Sequence, residues 1–215
     1  VSTDGTTSYV IPDAGFGNLL NTSSGFTYEV WVYPNTTNDG TLITEWGGTP
    51  PNGWQDAQLA FVDGHINFGV FQLGYVTGPT FSANTWYHLV MTYSGDTTKL
   101  YINGTQHSTV LSGEKSNTDP TYLTLGLPDQ GGSYLGGAVN YFDGDIWKWK
   151  IYNIAISDAQ VLSNYNEDSK HLDIEFNYTN FNSTDGLVLI STEGITEEGI
   201  YLTTANSGEA GNVYR

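Results

Sequence analysis

Short runs of aromatic and β-branched residues, separated by turn residues, constrain the fold of this chain most strongly. The runs occupy residues 26–33, 58–62, 65–71, 86–93, 99–102, 122–126 and 144–152. Two pairs that favour the tight turns of β-hairpins, Asp63-Gly64 and Asn103-Gly104, follow such runs directly. Many short strands without intervening helices are typical of a sandwich or barrel, so we predict an all-β fold.

One segment, residues 157–165, has helical periodicity instead. Ser157 is a good N-cap, and Gln160 stands three residues later, at the capping-box position. Val161, Leu162 and Tyr165 fall on one face of a helix. The segment therefore predicts a short helix of two turns.

Charge and composition exclude several classes of partner and site. The net charge is −17, from 23 acidic and 6 basic residues. Such a surface repels phosphate backbones, so we expect no nucleic-acid partner. No run of about 20 apolar residues exists, which argues against membrane insertion. There is no cysteine, so disulfides, thiolate metal sites and cysteine nucleophiles are excluded.

Several motifs resemble the laminin-G-like (pentraxin and concanavalin A-like) domains. They are Asp4-Gly5 with residues 8–13, GFTYEVWVYP at 25–34, NTWYHLVMTY at 84–93, LYING at 100–104, and residues 142–157. Their order matches that family over residues 1–166. The resemblance implies a jelly-roll sandwich of two antiparallel sheets, with the short helix near residues 157–165 and the first and last strands side by side.

The composition changes after Asn166. Residues 167–215 begin with a charged break and end in an acidic segment that is rich in Gly, Thr and Ser. We therefore predict two parts, a laminin-G-like sandwich at 1–166 and a C-terminal extension at 167–215. The extension is interpreted as added strands, a flap or an assembly arm.

The sequence favours binding over catalysis. Glycosidases on this fold need two carboxylates on one face of a strand, and the family's Glu-x-Asp pattern is absent. We therefore predict a non-catalytic domain that binds a glycan or glycoprotein outside the cell. Residues 156–166 also resemble the ends of such domains in virion proteins. The alternative is thus a capsid-decoration or tail-fibre component on the virion surface, a possible homo-oligomer with protein–protein contacts. A glycoside hydrolase is a third hypothesis.

The segment 46–56 is the predicted ligand site. It is interpreted as a loop that combines two tryptophans with prolines and polar residues, a composition suited to stacking on sugars and bonding to their hydroxyls. The candidate contact residues are Trp46, Trp54, Gln55 and Asp56, with Tyr75 on the same rim. In the alternative, Trp46 and Trp54 fold back to cap the sandwich.

The family resemblance also implies a structural Ca²⁺ where the first and last strands meet. Asp143 would supply a carboxylate, with the Asp4 carboxylate or the Gly5 carbonyl opposite, and other oxygens would complete the shell. In the alternative, Asp4-Gly5 and Asp143-Gly144 are ordinary turn residues. The loop 35–40 is a second oxygen-rich segment, with an exposed hairpin loop as its alternative.

Overall fold

The computed structural model describes residues 2–6, 9–12, 25–47, 50, 54–70, 72–114, 122–127 and 140–171. The strands are β1 Ser2–Asp4, β2 Tyr9–Pro12, β3 Phe26–Pro34, β4 Gly40–Gly47, β5 Trp54–Val62, β6 His65–Val70, β7 Gly74–Thr80, β8 Tyr87–Tyr93, β9 Thr97–Ile102, β10 Thr105–Ser112, β11 Tyr122–Leu125 and β12 Asp143–Tyr152. The helix α1 spans Asp158–Ser169. None of the described helical segments is long and apolar enough to cross a membrane.

The strands form two antiparallel sheets. Sheet 1 has the order β1-β12-β3-β8-β9-β10, and sheet 2 has the order β2-β11-β4-β5-β6-β7. The predicted two-sheet jelly-roll sandwich is therefore confirmed. The first and last strands are paired, with Ser2 opposite Asp145 and Asp4 opposite Asp143. This pairing brings the start of the domain to the segment that precedes β12.

The inner faces of the two sheets form the core. Alternate residues of β3, such as Tyr28, Val30 and Val32, are fully buried and belong to one cluster with residues of sheet 2 such as Leu59 and Phe68. The Tyr28 hydroxyl donates to Glu45 from the opposite sheet. Successive side chains of a strand point to opposite faces of the sheet, so only one face of each sheet contributes to this core.

The predicted strands are confirmed, and the structure adds others that the sequence pattern did not reveal. Asp63 and Gly64 both have positive φ, 49° and 74°, as a type I′ turn requires. The strands β4, β7 and β10 were missed because Thr, Gly and polar residues interrupt their alternation. The chain divides into two compact units, residues 1–171 and 172–215. The predicted boundary at 166 stays a prediction, and the residues after 171 lie outside the described ones.

The helix α1 begins as predicted but is longer than the predicted two turns. Ser157 caps it, and its hydroxyl accepts from the Gln160 amide at 3.2 Å. The Gln160 side chain donates to Asn164 rather than closing a capping box. Val161 is fully buried and Tyr165 stacks on Trp31 of β3, with 5.7 Å between ring centroids, whereas Leu162 is 47% exposed. The helix also buries Asn164 and Asp168, because the sheet beneath it is charged.

That charged patch centres on Glu29 of β3, which is 1% exposed. One carboxylate oxygen accepts from Lys150 at 2.9 Å and His88 at 3.2 Å. The other accepts from Tyr152 at 2.9 Å and Asn164 at 2.7 Å. Burial alone would raise the pKa of Glu29, but these hydrogen bonds and the Lys150 charge lower it to about 2. The group is named the Glu29 network, and it fastens α1 to sheet 1.

Candidate functional site

One end of the sandwich holds an open cleft of about 740 Å³. We name it the acid cleft because three aspartates line it. The β3–β4 loop, the β5–β6 hairpin, the end of β1 and the segment before β12 build its walls. Its lining residues are Gly5, Thr36, Thr37, Asn38, Asp39, Asp63, Gly64, Asn140, Tyr141 and Asp143.

Backbone hydrogen bonds fix the walls of the acid cleft. The Asn35 amide donates to the Asp143 carbonyl at 3.0 Å, and the Asn35 side chain donates to Asp143 Oδ1 at 2.9 Å. The Asp63 amide donates to Asp39 Oδ1 at 2.7 Å, which ties the hairpin to the β3–β4 loop. The Thr41 amide donates to the Asn140 carbonyl at 3.1 Å. Sheet hydrogen bonding therefore continues into the loops, and the cleft has a defined shape.

The three predicted metal residues lie together at this cleft. Asp4 is directly opposite Asp143 in the β1–β12 pair. A Cβ built on Gly5 would lie 3.6 Å from Asp143 Cβ and 4.0 Å from its Oδ2. Asp4 also acts as a turn residue, because its Oδ1 accepts from the amide of Thr6 at 3.0 Å and from its hydroxyl at 2.7 Å. The geometry is thus compatible with both interpretations of the sequence, a calcium site and ordinary turn residues.

The acid cleft fits calcium only with help from backbone oxygens. Within the described ranges, no group of three or more His, Cys, Asp or Glu side chains is placed to hold a metal ion. Calcium accepts six to eight oxygen ligands and tolerates carbonyls and water among them. Asp143 would supply one carboxylate, backbone carbonyls and water would have to complete the shell, and few protein carboxylates imply weak binding.

The predicted ligand residues lie elsewhere, at the far ends of β4 and β5. Trp46 is opposite Gln55 in the β4–β5 pair. Trp46 is fully buried, and its indole Nε1 donates to the Thr124 hydroxyl at 2.8 Å. Asp56 is also fully buried. The prediction that these two residues belong to an exposed loop is therefore wrong, since β4 runs to Gly47 and β5 begins at Trp54.

The other members of the predicted ligand set are placed differently. Gln55 is half-buried, whereas Tyr75 on β7 is 51% exposed. Tyr75 pairs with Gly69 on β6, near the end of that strand that is remote from the Asp63-Gly64 turn. Trp54 begins β5, and its side chain lies outside the described part of the structure.

The two predicted groups are at opposite ends of the sandwich. β4 starts at Gly40, where a built Cβ would lie 3.5 Å from the Tyr141 carbonyl at the acid cleft. It reaches Trp46 six residues later, which corresponds to about 20 Å along an extended strand. A metal in the acid cleft would therefore not support a ligand at Trp46 and Gln55.

Sequence reasoning assigned Asp63, Asn140 and Tyr141, which line the acid cleft, to no site. Asp63 was interpreted only as a hairpin residue, and Asp39 only as part of an oxygen-rich loop. Asn140 and Tyr141 carried no strand or turn signal of their own. The family resemblance implied that the first and last strands lie side by side. That pairing places residues 140–143 beside Gly5, so it could have revealed these lining residues.

Comparison with known proteins agrees with the architecture. The family model of Laminin_G_3, described as the concanavalin A-like lectin/glucanases superfamily, matches residues 4–162. A search of the curated proteins found no match.

Three solved structures illustrate the likeness. A SAP-like pentraxin from Limulus polyphemus is similar at a TM-score of 0.55 and 18% identity, over 78% of this chain and 81% of that one. The CBM40 of a Ruminococcus gnavus IT-sialidase, bound to α2,3-sialyllactose, is similar at a TM-score of 0.62 and 15% identity. The match covers 77% of this chain and 95% of that one. A Trypanosoma rangeli sialidase with sialic acid is similar at a TM-score of 0.61 and 14% identity. The match covers 78% of this chain but only 27% of that enzyme. At these identities the likeness concerns the fold.

Proposed function

The chain belongs to the Laminin_G_3 family of the concanavalin A-like lectin/glucanase superfamily, and we propose that it recognises a glycan or glycoprotein without catalysing a reaction. The observation that carries this proposal is the acid cleft. Its volume of about 740 Å³ suits a ligand of one to a few sugar rings. We further propose that the protein works outside the cell or on a particle surface.

The lining of the acid cleft suits sugars in two ways. Tyr141 contributes an aromatic ring, which can pack against the C–H face of a sugar. Asn38, Asn140 and the hydroxyls of Thr36 and Thr37 provide donors and acceptors for sugar hydroxyls. A few convergent polar groups around an aromatic surface are typical of binding sites.

The proposal is non-catalytic because two of the three aspartates of the cleft have structural partners. Asp39 accepts from the Asp63 amide, and Asp143 accepts from the Asn35 side chain. A glycosidase needs one carboxyl group free to donate a proton and another to attack or to activate water. Carboxylates that hold neighbouring loops are better suited to fixing the shape of a binding site.

We expect Tyr141→Ala to lower the affinity for a bound glycan about fivefold, since a lost stacking surface is worth roughly 1 kcal/mol. A glycan array identifies the ligand, and calorimetry with that ligand measures the change. Tyr75→Ala is the matched control, because it removes an exposed tyrosine at the opposite end of sheet 2. A loss of affinity in Tyr75→Ala but not in Tyr141→Ala would contradict the assignment to the acid cleft.

The proposal includes a weak calcium site at Asp143 and the Gly5 carbonyl. We expect millimolar Ca²⁺ to raise the melting temperature relative to EDTA, by a stabilisation of about 1 kcal/mol, because a ligand of the folded state stabilises it. Asp143→Asn should remove the shift, and Asp96→Asn, in the β8–β9 turn, should keep it. An unchanged melting temperature in the wild type would make Asp4 and Asp143 turn residues only.

A structural role in a virion or other assembly is the second candidate. Two tryptophans of β12, Trp147 and Trp149, are 40% and 37% exposed, and exposed tryptophans are typical of protein interfaces. A stable trimer or larger oligomer in analytical ultracentrifugation, without signal on a glycan array, would favour this role over glycan recognition.

A further inference from the structure

We propose that the acid cleft selects uncharged glycans and excludes those that end in sialic acid. This inference rests on the proposed function, because it assumes that the glycan binds in that cleft. It goes further by naming the chemical class of the ligand.

The charged residues among the described lining of the cleft are all acidic. Asp39, Asp63 and Asp143 contribute three carboxylates, and no Lys, Arg or His is among the described residues that line it. Hydrogen bonds from the Asp63 amide and the Asn35 side chain hold Asp39 and Asp143 in place. The negative charge is therefore a fixed property of the walls.

The lysines of the described part of the chain lie outside the acid cleft, and three of them form ion pairs. Lys99 pairs with Asp158 at 3.2 Å, Lys148 with Asp168 at 2.7 Å, and Lys150 with Glu29 at 2.9 Å. All three belong to sheet 1, and their partners hold or flank α1. Lys170 follows that helix directly. None of them is among the residues of the cleft.

Physical chemistry makes this arrangement unfavourable for an anionic sugar. Proteins recognise a carboxylate best with the two parallel donors of an arginine, and the only arginine of this chain is its last residue, Arg215. A concave site lined by one sign of charge also focuses its potential on the ligand. The net charge of −17 adds to the repulsion. A neutral sugar experiences neither penalty.

A bound calcium ion would reduce this repulsion without reversing it. Its two positive charges face three carboxylates among the lining residues, so the site stays negative. The CBM40 and sialidase structures with sialic acid ligands share only the fold with this chain. The charges of this cleft therefore predict a different ligand from the one in those structures.

The test is a glycan array and calorimetry on matched ligands: each glycan with its terminal sialic acid, without it, and with that acid as its methyl ester. We expect the sialylated form to bind at least about tenfold more weakly than the neutral form, and the ester to recover most of the difference. The ester keeps the size of the sugar and removes only its charge. The difference should narrow as salt is added.

A pair of double variants assigns the effect to the cleft. Asp39→Asn with Asp63→Asn removes two charges from the walls, and asparagine tolerates the positive φ of 49° at position 63. This variant should lose most of the discrimination. The control, Glu114→Gln with Glu167→Gln, removes two exposed charges outside the cleft and should retain it.

Two results would overturn the inference in different ways. Equal or tighter binding of the sialylated form would refute the selection for uncharged glycans and leave glycan recognition intact. Binding of neither form would refute the proposed function together with this inference. Equal loss of discrimination in both double variants would also overturn it, because the net charge rather than the acid cleft would then be responsible.

Discussion

Glu29→Gln should lower the free energy of unfolding by about 3 kcal/mol, because it removes a buried charge and leaves its partners in place. The substitution preserves the shape of the side chain and removes the charge that Lys150 and His88 both contact. His88 is fully buried, so it has no access to solvent as a replacement partner. Lys150 is 30% exposed and keeps a contact with Asp168. The expected loss of stability is therefore at the lower end of the range for removing one partner of a buried ion pair.

The measurement is urea denaturation of the wild type and the variant at neutral pH. Glu167→Gln is the control, since Glu167 is an exposed residue of the same helix α1 and should change stability by less than about 0.5 kcal/mol. A loss below about 1 kcal/mol in Glu29→Gln would show that the Glu29 network does not fasten the helix to the sheet.

The pH dependence of the same pair of proteins gives a second readout. The pKa of Glu29 is lowered from its ordinary value of 4.5 to about 2 in the folded protein. A group whose pKa is lower in the folded state stabilises it fully above the unfolded pKa. The difference in stability between wild type and Glu29→Gln should therefore be constant above pH 4.5 and shrink as the pH falls towards 2.

Trp46→Ala should lower the free energy of unfolding by about 3–5 kcal/mol, because it removes the largest fully buried side chain of the described residues. The variant loses the packing of the indole and leaves the Thr124 hydroxyl without its Nε1 donor. Trp46→Phe should cost less, about 1–2 kcal/mol, since it retains an aromatic ring and loses only part of the packing and the hydrogen bond.

Chemical denaturation measures both tryptophan variants, and Tyr75→Ala is the control from the same end of sheet 2. Tyr75 is 51% exposed, so its truncation should change stability by less than about 0.5 kcal/mol. A Trp46→Ala protein that keeps full stability but loses glycan binding would contradict the structural role and restore Trp46 as a contact residue.

The sequence predicted those parts of the fold whose cause is local. The turn at Asp63-Gly64 and the aromatic and β-branched run of β3 depend on neighbouring residues, so their signals are complete within a few positions. The Ser157 cap was visible for the same reason. The burial of Asn164 and Asp168 was not visible, because their partners on β3 and β12 lie far away in sequence.

The candidate site was harder to predict because it depends on how strands that are distant in sequence pair with each other. Trp46 stands next to glycines and prolines, which suggested a loop, yet it belongs to β4 and bonds across to Thr124 of β11. The acid cleft combines residues from four separate segments that meet only after β1 pairs with β12. The resemblance to a known family supplied that pairing, and composition alone did not.

The most direct test of glycan recognition in the acid cleft is a titration of isotope-labelled protein with the best glycan from the array, followed by amide chemical shifts. We expect the largest shifts at Thr37, Asp39, Gly64 and Tyr141, with little change at Gln55 and Tyr75. The largest shifts at Gln55 and Tyr75 instead would contradict this expectation, because the ligand would then bind about 20 Å away, at the other end of sheet 2.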